Sequence, residues 1–337
     1  MSEAAKEPQG PAPAEMLGVA PGPHIFAAGR STRRVMVDVL IALIPVVAMA
    51  FYVFGWRAGM QIGICVASCV FFEWLFQRIR RRPQTVGDCT AAVTGLILAL
   101  SIPWTAPWYV GFIGSGAAII IGKLLFGGLG SNIFNPAMVG RAFLQACFTS
   151  EMTAYTLNGR LPPGAVDAVT KATPMGAGKF EGIAYPLRDL ALGTVNGSLG
   201  ETSAIACVLG GLYLILRGAA AWRIPVGVLM AAAAVAGVHQ AVHPEAALTT
   251  AHHMLGGAML FGAFFIATDP VTSPLSKRGR WIFGAGVGVL VMLIRLFANV
   301  PEGVMYAVLV MNMTVPLIDR WTVPRPVGGP TKEKAES

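Results

Sequence analysis

Six ionisable side chains interrupt the apolar stretches of this sequence: Asp38, Glu73, Lys123, Arg141, Asp269 and Arg295. A charge near the centre of a bilayer costs about 3 kcal/mol or more, so such residues often serve ion or proton transfer. Asp269 stands out because it follows Thr268 in a Thr-Asp-Pro break of the apolar pattern. We therefore predict Asp269, and secondly Asp38, as parts of an ion pathway.

The other ionisable residues have simpler explanations. Glu73 and Lys123 lie near the ends of their apolar stretches, where a side chain can extend to the interface. Asp38 follows Arg33 and Arg34 by about one helical turn, so a local ion pair is an alternative to an ion pathway.

A second chemical signal is the segment GGLGSNIFNPAMVGRAFL, residues 127–144. Its glycines, Asn132, Asn135 and Pro136 interrupt what would otherwise be a membrane helix. Backbone groups freed in this way must be paired by protein or line a cavity, so the segment indicates a ligand site. A kink that serves only helix packing is the alternative.

Metal chemistry has weaker support. His239 and His243 have the i, i+4 spacing of a chelating pair, but no acidic or cysteine partner accompanies them. The five cysteines form no Cys-x-x-Cys motif, and most lie inside apolar runs. We predict no metal site.

A polar loop offers one accessible hydroxyl beside a rigid backbone. Residues 167–176 read DAVTKATPMG, and Thr173 precedes Pro174, which restricts the backbone. Residue types and spacing alone indicate no cofactor here.

The elements that position these residues are membrane helices. The chain has 337 residues, of which 55% are hydrophobic and 12% charged, about half the usual charged share. We predict an all-α integral membrane protein, because each crossing helix requires about 20 apolar residues. Ten apolar spans are expected near 35–54, 60–77, 89–102, 108–125, 133–148, 202–216, 224–242, 251–268, 281–298 and 303–318. Several are short, so broken or re-entrant segments are expected.

The distribution of basic residues predicts the orientation. With a cytoplasmic N-terminus, 17 Lys and Arg residues fall on the cytoplasmic side and five on the other. The net charge of +8 thus reflects membrane topology rather than nucleic-acid binding. The N-terminus has Pro and Glu where a signal peptide needs an apolar core, so we expect both termini in the cytoplasm.

Two segments repeat within the chain. Gly95–Pro107 (GLILALSIPWTAP) and Gly262–Pro274 (GAFFIATDPVTSP) share Gly, Pro, Thr and Pro in register. They belong to the third and eighth spans, so a true repeat requires that the two halves have inverted topology. A chance match is the alternative, because each segment has only 13 residues. The predicted organisation is a cytoplasmic N-terminal extension (1–34), a first five-helix repeat (35–148), an outward loop (149–201), a second, inverted five-helix repeat (202–318) and a cytoplasmic tail (319–337).

Three segments in order resemble the RnfD/NqrB family. DAVTKATP resembles the motif at which a periplasmic flavin transferase joins FMN to a threonine, although Lys171 replaces the usual glycine. SNIFNPAMVGRAF (131–143) and ATDPVTSPLSKRGR (267–280) resemble further blocks of these membrane subunits of the Rnf complex and the sodium-pumping NADH:quinone reductase. The resemblance extends from about residue 24 to 322, and the chain length is closer to the RnfD branch.

This resemblance implies a flavoprotein subunit of an ion-translocating ferredoxin:NAD oxidoreductase in the bacterial inner membrane. It implies covalent FMN at Thr173 and a second flavin, riboflavin, held without a covalent bond. The interrupted segments supply Asn132, Asn135, Thr268 and Asp269 as candidates for the riboflavin pocket. The coupling ion is Na⁺ or H⁺.

The implied partners follow from what the sequence lacks. It has no cysteine motif for an iron–sulfur cluster and no GxGxxG motif for NAD. Other Rnf-type subunits must carry the clusters, flavin and NADH sites, and a periplasmic flavin transferase must load Thr173. Two alternatives remain: an NqrB-like quinone reductase subunit, and a urea- or ammonium-channel-like transporter without a redox role.

Overall fold

The computed structural model describes residues 31–154, 173–201, 203–300 and 302–322. All regular secondary structure in these ranges is helical. The first half contains α1 (Thr32–Phe54), α2 (Trp56–Ile79), α3 (Thr90–Leu100), α4 (Trp108–Gly116, continued by a π-helix, Ala117–Leu124), α5 (Pro136–Cys147) and α6 (Thr149–Thr153). A 3₁₀ turn, Val86–Asp88, precedes α3.

The second half follows the loop. It contains α7 (Pro174–Gly176, continued by a π-helix, Ala177–Glu181), α8 (Leu187–Leu192), α9 (Ala204–Leu216), α10 (Arg223–Val242), α11 (Thr250–Leu255), α12 (Met259–Phe261, continued by a π-helix, Gly262–Ile266), α13 (Lys277–Phe297) and α14 (Val304–Thr322). Each of the ten predicted apolar spans overlaps one of these helices.

Four helices, α1, α2, α10 and α13, are long and apolar enough to cross a membrane. Between 28% and 39% of their most apolar windows is buried inside the protein, so most of that apolar surface faces outward. Such exposure is unfavourable in water and appropriate in lipid. The prediction of a helical membrane protein is confirmed.

The eighth predicted span, 251–268, is not one continuous helix. The structure divides it into α11 and α12, separated at Gly256–Ala258. Gly257 has a φ of 64°, which a glycine adopts without steric cost. The interruption leaves two helix ends whose backbone groups need partners.

Small residues bring the helices that frame these breaks into close contact. Gly210 of α9 faces the backbone carbonyl of Ala42 in α1. Gly284 and Gly288 of α13 face the carbonyls of Ile224 and Val228 in α10. In a membrane, where the hydrophobic effect does not hold helices together, small residues permit the close packing that does.

Asp38 lies at the α1–α9 contact, and its ion pair differs from the expected local one. Arg217 lies 3.2 Å from the Asp38 carboxylate, and the hydroxyl of Tyr213 donates to the same oxygen at 3.3 Å. Helical spacing offers Arg33 and Arg34 as local partners, as an alternative to a role of Asp38 in an ion pathway. The partners on α9 come from the other half of the chain, which sequence spacing does not reveal.

Candidate functional site

One cavity lies between α1, α3, the π-helical end of α4, α9 and the break after α12. Its volume is about 70 Å³. Most of the wall is apolar, with Val35, Met36, Val39, Val93, Ile97, Leu214 and Phe265 among the lining residues. A site of this kind suits a largely apolar ligand oriented by a few polar groups.

The polar lining includes the four residues that the sequence indicated for a ligand pocket, together with Thr90, Thr94 and Lys123. Asn132, Asn135, Thr268 and Asp269 all line this one cavity, although 133 residues separate Asn135 from Thr268 in the chain. Asp38 is absent from the described lining residues.

Asn132 has an unused acceptor. Its side-chain amide donates to the carbonyl of Phe134 at 3.1 Å. Its Oδ1 atom is buried and has no hydrogen-bond partner among the described residues. A buried, unpaired acceptor costs about 1–3 kcal/mol, so this atom is suited to a donor on a bound molecule.

Asn135 holds the cavity wall together. Its Oδ1 accepts from the backbone N–H groups of Ala137 (3.1 Å) and Met138 (3.3 Å), which makes it the N-cap of α5. Its amide nitrogen reaches the carbonyl of Ile266 at 3.4 Å, at the end of the α12 π-helix. Asn135 thus links α5 to the break that carries Thr268 and Asp269.

Side-chain hydrogen bonds stabilise the break that follows the α12 π-helix. The Thr268 hydroxyl donates to the carbonyl of Phe264 at 2.5 Å. The Asp269 carboxylate accepts from the Val271 backbone N–H (3.2 Å) and from the Thr272 hydroxyl (3.1 Å). This arrangement holds a carboxylate at the cavity wall in a fixed orientation.

Asn312 is a site residue that the sequence reading missed. Its side chain accepts from the backbone N–H of Asn135 (3.2 Å) and donates to the carbonyl of Thr272 (3.0 Å). It is 1% exposed and lies in the middle of α14. The signal that could have found it was an asparagine inside an apolar span, which normally requires a partner.

Lys123 and Glu73 form a buried ion pair beside the cavity. The Lys123 ammonium lies 2.8 and 2.9 Å from the two Glu73 oxygens and donates to the Thr90 hydroxyl at 2.5 Å. Their side chains are 2% and 0% exposed. The expectation that both extend to the interface is wrong, because each satisfies the other inside the protein.

A second charged group lies far from the cavity. Arg295 is 18 residues after the start of α13, which places it about 27 Å along the helix from the break that lines the cavity. Its guanidinium donates to the carbonyls of His253 (2.7 Å) and Gly256 (3.1 Å) at the end of α11. Glu302 accepts from the backbone N–H of Ala258, just before α12.

Arg295 binds the helix end on one side of the break between α11 and α12, and Glu302 binds the helix end on the other side. A cation is favourable at the C-terminus of α11 and an anion at the N-terminus of α12. Arg141 of α5 extends the group, since it lies 3.5 Å from Glu201 and 3.9 Å from Glu302. Burial and the neighbouring Glu201 carboxylate raise the pKa of Glu302, while the guanidinium groups of Arg295 and Arg141 lower it and favour the anion.

Thr173 lies in a third place, apart from the residues that line the cavity. It is 4% exposed, and its hydroxyl oxygen accepts from the backbone N–H of Gly176 at 3.2 Å. With Pro174 next to it, Thr173 is the N-cap of α7. The preceding motif positions, including Asp167 and Lys171, lie outside the described residues.

No group of three or more metal-ligating side chains occurs in the part of the chain that the structure describes. The His239 and His243 rings lie 5.0 Å apart, and His243 contacts the exposed carboxylate of Glu245 at 3.3 Å. The expected absence of a metal site stays a prediction.

Membrane-crossing helices, a cavity beside a helix break and buried charge pairs together define a polytopic membrane protein of the transport or energy-coupling type. Residues 18–328 match the model of the NQR2, RnfD, RnfE family. The chain belongs to this family.

Individual relatives cover nearly the whole chain. The D subunit of the Na⁺-translocating ferredoxin:NAD⁺ oxidoreductase complex of Acetobacterium woodii is 42% identical, over 95% of this chain and 98% of the relative. The D subunit of the proton-translocating ferredoxin:NAD⁺ oxidoreductase complex of Clostridium ljungdahlii is 39% identical, over 91% and 94%. The D subunit of the ion-translocating oxidoreductase complex of Actinobacillus succinogenes is 36% identical, over 93% and 98%.

The buried ion pair makes a prediction about stability. Lys123→Met leaves the Glu73 carboxylate buried without its cation, so we expect the free energy of unfolding to fall by about 3–5 kcal/mol. The double variant Lys123→Met/Glu73→Gln removes both charges. The hydroxyl of Thr85 donates to Glu73 Oε1 at 2.6 Å, and the carbonyl oxygen of the new glutamine can accept the same bond. We expect it to recover most of the loss. Thermal unfolding of the purified protein in detergent measures both, and equal instability of the two variants contradicts the ion-pair account.

Proposed function

We propose that this chain is the D-type membrane subunit of an Rnf-type ion-translocating ferredoxin:NAD oxidoreductase in the bacterial inner membrane. The observation that carries the proposal is similarity along almost the full length to three relatives whose names describe the D subunit of such complexes. Other subunits then carry the iron–sulfur clusters and the NADH site. As a subunit of a redox-driven translocase, the chain couples electron transfer to movement of Na⁺ or H⁺.

The proposed topology has ten crossings in two inverted repeats, with both termini in the cytoplasm. Matched hydrogen bonds support it at a constant spacing of 167 residues. The Ser101 hydroxyl donates to the carbonyl of Ile97, as the Thr268 hydroxyl does to Phe264. Each bond ends the apolar run just before the shared Pro-x-Thr-x-Pro.

The fourth helix of each proposed repeat supplies a further correspondence. Lys123 lies at the end of the π-helical part of α4, and Arg295 lies near the end of α13. Both are buried cations that reach the third apolar span of their own half, Lys123 at Thr90, the first residue of α3, and Arg295 at Gly256, where α11 ends. Equivalent helices with equivalent polar contacts are expected of a duplicated and inverted unit.

A non-covalent flavin, riboflavin, is proposed for the cavity. Its ring system needs apolar walls and polar contacts at one edge, and the lining described above offers both. The space now present is about 70 Å³, so the helices that line it must move apart when the flavin binds. The buried, unpaired Oδ1 of Asn132 is an acceptor for the flavin N3–H group. A flavin accepts one or two electrons, so it can connect iron–sulfur centres with two-electron carriers. The residues of this chain bind and orient it and exclude water.

Covalent FMN is proposed at Thr173, through a phosphoester to its hydroxyl oxygen. The contact with Gly176 is compatible with this bond, because an ester oxygen can still accept the N–H that the hydroxyl oxygen accepts now. Thr173 is buried in the folded chain, so the proposal requires that the flavin transferase reach its hydroxyl before this side chain becomes buried. In the proposed topology Thr173 faces the periplasm.

The proposed ion pathway uses Asp269, with Asp38 as a second candidate. Asp269 lies on the cavity wall, so a negative charge that develops on a reduced flavin acts directly on any cation at this carboxylate. Asp38 is paired with Arg217 and so is less available to a mobile ion.

Covalent attachment is tested on a denaturing gel under ultraviolet light. We expect wild-type protein, produced with the flavin transferase, to fluoresce and Thr173→Val to lose the signal completely. Thr149→Val is the matched control, because this exposed hydroxyl lies on α6 outside the motif. A wild-type band without fluorescence removes the covalent flavin and favours the channel-like alternative.

The cavity is tested by the amount of flavin that acid releases from the purified complex. Asn132→Leu removes the unpaired acceptor at similar volume, so we expect binding of riboflavin to weaken at least about fivefold. Asn299→Leu is the control, since Asn299 is exposed and lies after α13. Unchanged riboflavin in Asn132→Leu would exclude this acceptor from the flavin site.

The ion pathway is tested in vesicles that contain the whole complex. Asp269→Asn keeps an acceptor oxygen for the Val271 N–H, and its amide nitrogen can donate to the Thr272 hydroxyl oxygen. The substitution removes the charge, so we expect ion uptake per electron to fall strongly. Electron transfer from ferredoxin to NAD should persist. Asp189→Asn, in the loop that carries Thr173, is the control. Full ion uptake in Asp269→Asn removes this residue from the pathway.

A further inference from the structure

The segment that follows Thr173 is docked onto the second half of the chain. Met175 packs against Gly256, where any added side chain would collide with it. Gly178 packs in the same way against Leu248. The imidazole of His252 lies 3.0 Å from the carbonyl of Tyr185, which accepts its Nε2–H. Residues 173–185 therefore pack against α11 and against the residues that flank it, Leu248 and Gly256.

Lys179 makes the polar contact of this docked segment with α13. Its ammonium donates to the backbone carbonyl of Arg295 at 2.6 Å and to that of Val300 at 3.4 Å. It also donates to the carbonyl of Ala298, the C-cap residue of α13. One side chain thus satisfies three carbonyls at or beyond the end of a helix.

The chemistry of a helix end explains this contact. The last carbonyls of α13 have no partner within the helix, and they carry the negative end of its dipole. An ammonium has three N–H donors and a full positive charge, so it matches three such carbonyls. Desolvation lowers the pKa of Lys179, but only the protonated form can make all three bonds.

The contact leads directly to the charged group around the broken helix. Arg295 accepts from Lys179 through its carbonyl, while its own guanidinium holds the carbonyls of His253 and Gly256. Glu302 holds the other side of the same break. Arg295 therefore connects Lys179 with the end of α11: its carbonyl accepts from Lys179, and its guanidinium donates to the α11 carbonyls.

We propose that Lys179 is a positioning residue that fixes the segment bearing Thr173 to the end of α13, and so sets the place of the covalent flavin relative to Arg295 and Glu302. The statement about the flavin rests on the proposed function. The statement about the anchor does not, because the contacts of Lys179 exist in the chain without any flavin.

The first experiment tests the anchor in the absence of flavin. In a Thr173→Val background within the whole complex, hydrogen exchange is measured on the peptide that spans 176–183. We expect Lys179→Met to exchange at least about tenfold faster than the background, and Lys179→Arg to remain near it. Arg188→Met is the matched control, since Arg188 is an exposed cation on α8. Equal protection in Lys179→Met and the background would overturn the anchor.

The second experiment tests positioning of the flavin, with Thr173 intact. The midpoint potential of the covalent flavin is measured by redox titration of its visible absorbance in the purified complex. We expect a more negative potential in Lys179→Met, recovery in Lys179→Arg, and the wild-type value in Arg188→Met, which loses the same charge from the same loop. A potential that Lys179→Met leaves unchanged overturns the positioning role.

The two experiments also separate the proposals. Absence of covalent flavin in the wild type contradicts the assignment of Thr173, while hydrogen exchange still decides whether Lys179 anchors the segment. Faster exchange together with an unchanged potential would make Lys179 a purely structural contact.

Discussion

The structure depends on one constraint: a backbone group freed inside a membrane must find a partner within the protein. An unpaired N–H or C=O there costs several kcal/mol. Each helix break described above meets this requirement with a specific donor or acceptor. The Gly200 N–H donates to the carbonyl of Leu100 at 2.6 Å, Asn135 reaches Ile266 and Arg295 reaches Gly256. Polar residues concentrate at the breaks for this reason.

That concentration produces functional surfaces at the same points. The Asn135–Ile266 contact that closes one break also forms the wall of the cavity, together with Thr268 and Asp269. Arg295 and Glu302 bind the two sides of the other break, and the carbonyl of Arg295 also contacts Lys179 in the segment that follows Thr173. A break is costly to build but exposes backbone dipoles and side chains that a continuous helix hides. The residues that stabilise the first of these two breaks are thus the ones that line the cavity.

The relatives indicate that this framework serves more than one ion. Proteins named for Na⁺ and for proton translocation are 42% and 39% identical to this chain, each over more than nine tenths of it. A carboxylate can bind either cation, so a change of ion needs only small changes in the oxygens around it. Membership of one family and a difference in the coupled ion are therefore compatible.

The sequence by itself determined the helical membrane class, the family and the residues at the breaks, because apolar length, charge bias and motifs are local properties of the chain. It also indicated Asn132, Asn135, Thr268 and Asp269, since Asn, Thr and Pro inside apolar runs stand out without knowledge of the fold. Only the tertiary structure decided that these four share one cavity, that Lys123 pairs with Glu73, that Asp38 pairs with Arg217 and that Lys179 caps α13. Those contacts join residues between 50 and 179 positions apart, and such pairings depend on how helices pack, which no local pattern encodes.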